Sequence, residues 1–223
     1  MNAPPEGTGA LRPPARIAVL ASGGGSNFQA LVDHFHHRLP PDDRPGRIVL
    51  LVSDRPGAGA LERARHAGIP TRIVPAAGRP EDETAAELLA ALDEAGAELV
   101  ALAGYLRRVP PAAVHRYEGR MVNIHPALLP AFGGPGMYGL HVHRAVLATG
   151  CRVSGATAHL VDEEYDHGPI LAQWPVPVLP EDTPEHLAAR VLRVEHMLYP
   201  AVVEALARGR RLEGPRGAEA FAL

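Results

Sequence analysis

Arg16-Ile-Ala-Val-Leu-Ala-Ser22, then Gly23-Gly-Gly-Ser-Asn27, then residues 28–35 with apolar side chains at helical spacing: this stretch decides the fold. A short apolar run followed by a glycine loop and a helix is the opening unit of a sheet whose strands are buried on both faces. The alternation repeats. Residues 48–53, 71–74, 99–103 and 121–124 read as further strands, and residues 59–66, 83–95 and 111–117 as helices between them. Strands alternating with helices predict an α/β, doubly wound, parallel sheet. After Pro130 the pattern changes to a Gly-rich loop (132–140), a short helix (141–149) and two strands (154–161 and 170–178). Thr183 as N-cap and Pro184 at the first helical position open a long helix running to about Arg208.

Composition narrows the function classes. The 223 residues make one large domain or two small ones, and a formal charge of −3 gives no electrostatic reason to expect nucleic acid. No apolar run approaches the roughly 20 residues that cross a membrane. The single cysteine, Cys151, excludes an internal disulfide and a multi-cysteine zinc site, which fits a cytoplasmic location. All 22 basic residues are Arg, so Schiff-base lysine chemistry and the P-loop lysine are both absent. Residues 1–15 are expected to be a disordered tail, 16–211 a single domain and 212–223 a frayed end.

Four places carry chemistry. Met121-Val-Asn-Ile-His125 ends at Pro126, and side chains two apart on a strand face the same way, so Asn123 and His125 converge at the strand's carboxyl edge. They read either as an acyl-transfer pair or as caps of a turn. The 23–27 loop offers backbone N–H groups to an anion, with Ser26 and Asn27 as extra donors. Phe28 stands where a dinucleotide fingerprint needs Gly, which argues against Asp54 as a ribose acid; the alternatives are a phosphate monoester site and a tight structural turn. The 162–168 loop holds Asp162, Glu163, Glu164 and Asp166: a solvated turn, a carboxylate beside His125, or a metal site with His159 and His167. Glu195 lies within the apolar stripe Leu187, Val191, Val194, Leu198 and Val202, and a buried carboxylate needs a partner, either an Arg or a bound polyol. His34, His36 and His37 read as a solvated helix end.

Together, ASGGGSNFQAL, LAGYLRRV, NIHPALLP, HLVDEEYDHGPI and VEHMLYP, in that order from about Arg16 to Arg210, resemble the phosphoribosylglycinamide formyltransferases of the folate-dependent formyltransferase family. The resemblance implies a Rossmann-like fold, mostly parallel, with C-terminal antiparallel strands. It implies 10-formyltetrahydrofolate as co-substrate, small-molecule partners only, and no metal, nucleic acid or membrane; monomer and homodimer are both open. By position, Gly25, Ser26 and Asn27 would hold the phosphate of glycinamide ribonucleotide and Glu195 its ribose. Leu106, Arg107, Arg108, Val109, Asn123, Asp162 and Asp166 would form the folate site, and Asn123, His125 and Asp166 the catalytic trio. Three features depart from the family pattern. The 132–140 loop is longer, which leaves His141 without a clear role. Arg79 is the nearest basic residue to where some members contact the folate tail. Leu192 replaces a basic residue three positions before the ribose acid. A formyltetrahydrofolate hydrolase is the nearest alternative, expected to carry an additional N-terminal domain; a methionyl-tRNA formyltransferase would need a further C-terminal domain and a basic surface. A non-catalytic sensor of phosphorylated ligands is the alternative from another class.

Overall fold

A computed structural model describes residues 13–210. The expected tails, 1–15 and 212–223, fall almost wholly outside the described residues. Seven strands form one sheet in the order β3-β2-β1-β4-β5-β6-β7. β1 (Ala15–Leu20), β2 (Gly46–Ser53), β3 (Thr71–Ile73), β4 (Leu99–Leu102) and β5 (Met121–His125) are parallel. β6 (Val153–Leu160) and β7 (Ile170–Pro177) continue the sheet antiparallel. The doubly wound, mostly parallel sheet with antiparallel C-terminal strands is therefore present, each strand within a few residues of its expected bounds.

The two faces follow from strand alternation. Ile17, Val19 and Ala21 join one apolar cluster with α1 (Ser26–Val32), α2 (Gly59–His66), α5 (Leu140–Ala148) and α6 (Pro184–Ala207). Ala18 and Leu20 join the other, with α3 (Glu81–Glu94) and α4 (Pro111–Arg116). Helix α1 continues as a π-helical turn, Asp33–Arg38, and here the solvated helix end expected of the three histidines is corrected. His34 Nε2 lies 2.6 Å from the Glu204 carboxylate on α6, and His36 Nε2 accepts the Ile48 N–H at 3.2 Å. Only His37 is exposed.

The chain runs outward from β1 to β3, then crosses back to β4 on the other side of β1. In open α/β sheets a ligand crevice forms where the strand order reverses in this way, outside the carboxyl ends of the strands. The loops leaving β1 and β4 meet there: Ser22 N–H donates to the Gly104 carbonyl (3.0 Å), and Leu106 N–H to Ser22 Oγ (2.9 Å). Helix α6 is fastened to the same place. The fully buried Tyr199 hydroxyl donates toward the carbonyls of both Leu102 (2.8 Å) on β4 and Val122 (3.0 Å) on β5. The Thr183 side chain caps α6 by accepting the His186 N–H at 3.2 Å, as its sequence position predicts.

Candidate active site

The alternation of β5 sorts its side chains. Val122 and Ile124 enter the cluster under α6, so Asn123 and His125 face the other way, side by side at the strand's end. His125 is only 3% exposed. Its Nε2 is 2.8 Å from the Phe132 carbonyl oxygen, which can only accept, so Nε2 carries a proton. Its Nδ1 is 3.4 Å from Asp166 Oδ2. The Thr157 hydroxyl holds the segment after His125 by donating to the Ala127 carbonyl (2.6 Å) and accepting the Leu129 N–H (3.0 Å). The His125–Phe132 geometry thus rests on a fixed turn.

Asp166 adopts φ +56° in the loop between β6 and β7 and accepts the Gly134 N–H at 2.9 Å. Burial by itself would raise its pKa. Hydrogen bonds from His125 and His159, positive charge on His125 and the Gly134 N–H outweigh burial and hold the carboxyl well below the usual range. Asp166 is ionised at neutral pH, and of the four acids in its loop it is the one beside His125. A second histidine completes the group. His159 on β6 is 2% exposed; its Nε2 is 3.1 Å from Asn123 Nδ2 and 3.6 Å from Asp166 Oδ1. Sequence reasoning considered His159 only as a metal ligand. The signal that would have placed it is the antiparallel register, which sets His159 opposite Asn123.

Glu195 is buried, 6% exposed, and its partner is not an Arg: Asn27 Nδ2 donates to its Oε2 at 2.6 Å. Burial pushes the Glu195 pKa up, and the Asn27 bond and charge on His125 only temper this. Asn27 Oδ1 is buried without a hydrogen-bond partner. The side chain expected to hold phosphate is therefore turned to the acid expected to hold ribose. Gly25 precedes it with φ +75°, and a Cβ there would stand 2.7 Å from Ala60 on α2. Arg63 Nε donates to the Gly24 carbonyl at 2.8 Å, fixing the loop from α2.

A cavity of about 720 Å³ joins these groups, a size suited to small organic ligands. Leu106, Arg107, Arg108, Val109, Asn123, His125, Asp162, Asp166, Asn27 and Glu195 all line it, whereas Gly25 and Ser26 do not. Asp54 is no ribose acid: its carboxylate pairs with Arg55 (2.7 Å) and Arg107 (3.2 Å). Arg107 is thereby held at the cavity wall, and Arg108 Nε reaches the Glu163 carbonyl (3.1 Å), linking the two loops of the expected folate site. Arg79 is paired with Glu87 at 2.5 Å on α3 and is not among the lining residues, while Leu192 is. His141 packs against Tyr138 with the two rings steeply inclined, centroids 5.5 Å apart, but His143 lines the cavity. His143 is 4% exposed, has an unpartnered Nδ1, and its pKa is lowered to about 4, first by burial and then by charge on His125. Among the described residues, no group of three His, Cys, Asp or Glu side chains is arranged as metal ligands, and no helix is long and apolar enough to cross a membrane.

Residues 15–203 match the family model described as formyl transferase. A chloroplastic phosphoribosylglycinamide formyltransferase of Arabidopsis thaliana is 48% identical over 87% of this chain, which spans 66% of that protein's length. The phosphoribosylglycinamide formyltransferase of Escherichia coli K12 is 38% identical, with 87% of this chain and 88% of that one covered. Among solved structures, glycinamide ribonucleotide transformylase 1 from Symbiobacterium toebii superposes with a TM-score of 0.80 at 41% identity, covering 90% of this chain and 92% of that one. With the model matched along most of its length and the fold shared throughout, the chain belongs to the formyl transferase family, among the relatives named phosphoribosylglycinamide formyltransferase.

Proposed function

We propose that the chain transfers the formyl group of 10-formyltetrahydrofolate to the amine of 5-phosphoribosylglycinamide, giving formylglycinamide ribonucleotide and tetrahydrofolate in purine biosynthesis. One observation carries the reading. Asn123, His125 and Asp166 line the same cavity as Asn27 and Glu195 and as the 106–109 and 162–166 loops. A polyol would replace Asn27 as the hydrogen-bond partner of Glu195, and its phosphate would meet the N–H groups of the 23–27 loop. The folate would lie between the 106–109 and 162–166 loops. The names carried by the relatives agree with glycinamide ribonucleotide as the formyl acceptor.

The chemistry follows from the hydrogen bonds. The substrate amine attacks the formyl carbon, and the carbonyl oxygen becomes an oxyanion. The Asn123 amide and His125 donate to it, and removing one such donor typically costs on the order of 3 kcal/mol of barrier. His125 Nε2 is committed to the Phe132 carbonyl, so Nδ1 is the nitrogen that gives up a proton. The ionised Asp166 beside Nδ1 stabilises the positive ring. The amine loses one proton and the folate N10 gains one as the C–N10 bond breaks, so the transfer is proton-neutral overall.

The test follows folate product by absorbance, with and without glycinamide ribonucleotide and with no metal added. Product should form only when the ribonucleotide is present. Product formed equally without it would replace this reading with the hydrolase.

A further inference from the structure

His159 has no part in the reaction as set out above, yet it is buried within the same group. Its two ring nitrogens have unlike surroundings. Nδ1 lies 2.8 Å from the Leu160 carbonyl oxygen, so Nδ1 carries a proton in either charge state of the ring. Nε2 lies 3.1 Å from Asn123 Nδ2, and the same amide nitrogen lies 3.4 Å from Asp166 Oδ1. When the ring is neutral, Nε2 is a bare acceptor. The Asn123 nitrogen then sits between two acceptors, and both of its hydrogens point inward. That leaves the amide oxygen for the cavity, and an oxygen repels an oxyanion.

A second proton on His159 reverses the arrangement. Nε2–H becomes a donor placed between the Asn123 amide and Asp166 Oδ1, which is 3.6 Å away. The Asn123 oxygen can accept that hydrogen, and a half-turn of the amide about its last torsion brings Nδ2 to face the cavity. No backbone movement is needed. Asp166 faces His159, and His125 lies across that carboxylate, 3.4 Å from it. Helix α6 packs on the opposite face of β6, where Ala156 and Ala158 join its apolar cluster.

We propose that His159 is a positioning residue: as an imidazolium it turns the Asn123 amide nitrogen toward the cavity, so that Asn123 donates to the oxyanion only while His159 holds its second proton. The inference rests on the formyl transfer proposed above and adds a requirement to it. Without that proton the Asn123 amide oxygen faces the cavity and the donor is lost. His159→Gln offers Asn123 a permanent amide donor with no ionisation of its own.

The experiment measures kcat and KM for the ribonucleotide against pH in the wild-type chain and in His159→Gln. Expected are a kcat lowered by about tenfold, a KM within threefold of wild type, and a pH profile of kcat whose shape differs from that of the wild type. A kcat profile of unchanged shape, or a raised KM with kcat intact, overturns the proposal. Nitrogen NMR of histidine-labelled wild-type protein at pH 7.5, with ribose 5-phosphate and a non-reactive folate analogue bound, covers the case in which the variant does not fold. His159 should show both nitrogens protonated, and a bare Nε2 there overturns the proposal. Absence of any formyl transfer by the wild-type chain is a separate outcome, and it refutes the proposed reaction itself.

Discussion

Glu195 and Asn27 show at the level of single residues how function sets itself against stability. A carboxylate that is 6% exposed, with an amide as its hydrogen-bond partner, keeps little of its hydration. Its pKa is raised, so between the unfolded value and the folded one the native state binds more protons, and stability falls as pH rises through that window. Glu195→Gln keeps an oxygen for Asn27 and removes the buried charge. It should raise the melting temperature at pH 7 by a few degrees while raising KM for the ribonucleotide at least tenfold. A variant that is both less stable and unimpaired in ribonucleotide use would remove Glu195 from the ribose site. The carboxylate's phase on α6 was plain in the sequence because the apolar stripe surrounds it. Its partner was not, since Asn27 lies 168 positions away and only the packing of α1 on α6 brings them together. His159 escaped for a related reason: its role depends on a strand register, which no local pattern encodes.

Elements were more legible than contacts. Strands β1, β2 and β4 are runs of mostly apolar residues, and such runs declare themselves without knowledge of their neighbours. Helix α6 declared its start through Thr183 and Pro184 for the same reason. The π-helical turn at Asp33–Arg38 did not, because helical spacing there is continuous with α1 and the extra residue per turn leaves no compositional trace. The glycine loop shows what an element can demand of one residue. Gly25 holds φ +75° at the start of α1, with α2 so near that a Cβ would meet Ala60 at 2.7 Å. Gly25→Ala combines left-handed strain with that collision, a loss of about 1–3 kcal/mol in stability. Calorimetric titration should show ribose 5-phosphate affinity lost and folate-analogue affinity kept. Loss of both would mean that the loop supports the whole cavity rather than one end of it.

For the whole molecule, acid sensitivity has a named source. His143 is buried neutral with a pKa of about 4, whereas in the unfolded chain it takes up its proton near 6.5. The unfolded state therefore binds more protons as pH falls from about 6.5 to about 4, and the chain loses up to about 3 kcal/mol across that range. His143→Leu should flatten this part of the denaturation profile, and an identical profile in the variant would assign the sensitivity elsewhere. The Tyr199 hydroxyl, bridging the Leu102 and Val122 carbonyls from a helix that also carries Glu195, has a different consequence. It ties the helix that carries Glu195 to the strands that lead into the 106–109 loop and to Asn123 and His125, so the two proposed substrate sites share one frame. A shared frame gives neither ligand a conformational change to impose on the other's site. Ribose 5-phosphate and a folate analogue, too short to touch, should then bind with additive free energies, each affinity the same within about twofold whether or not the other is present.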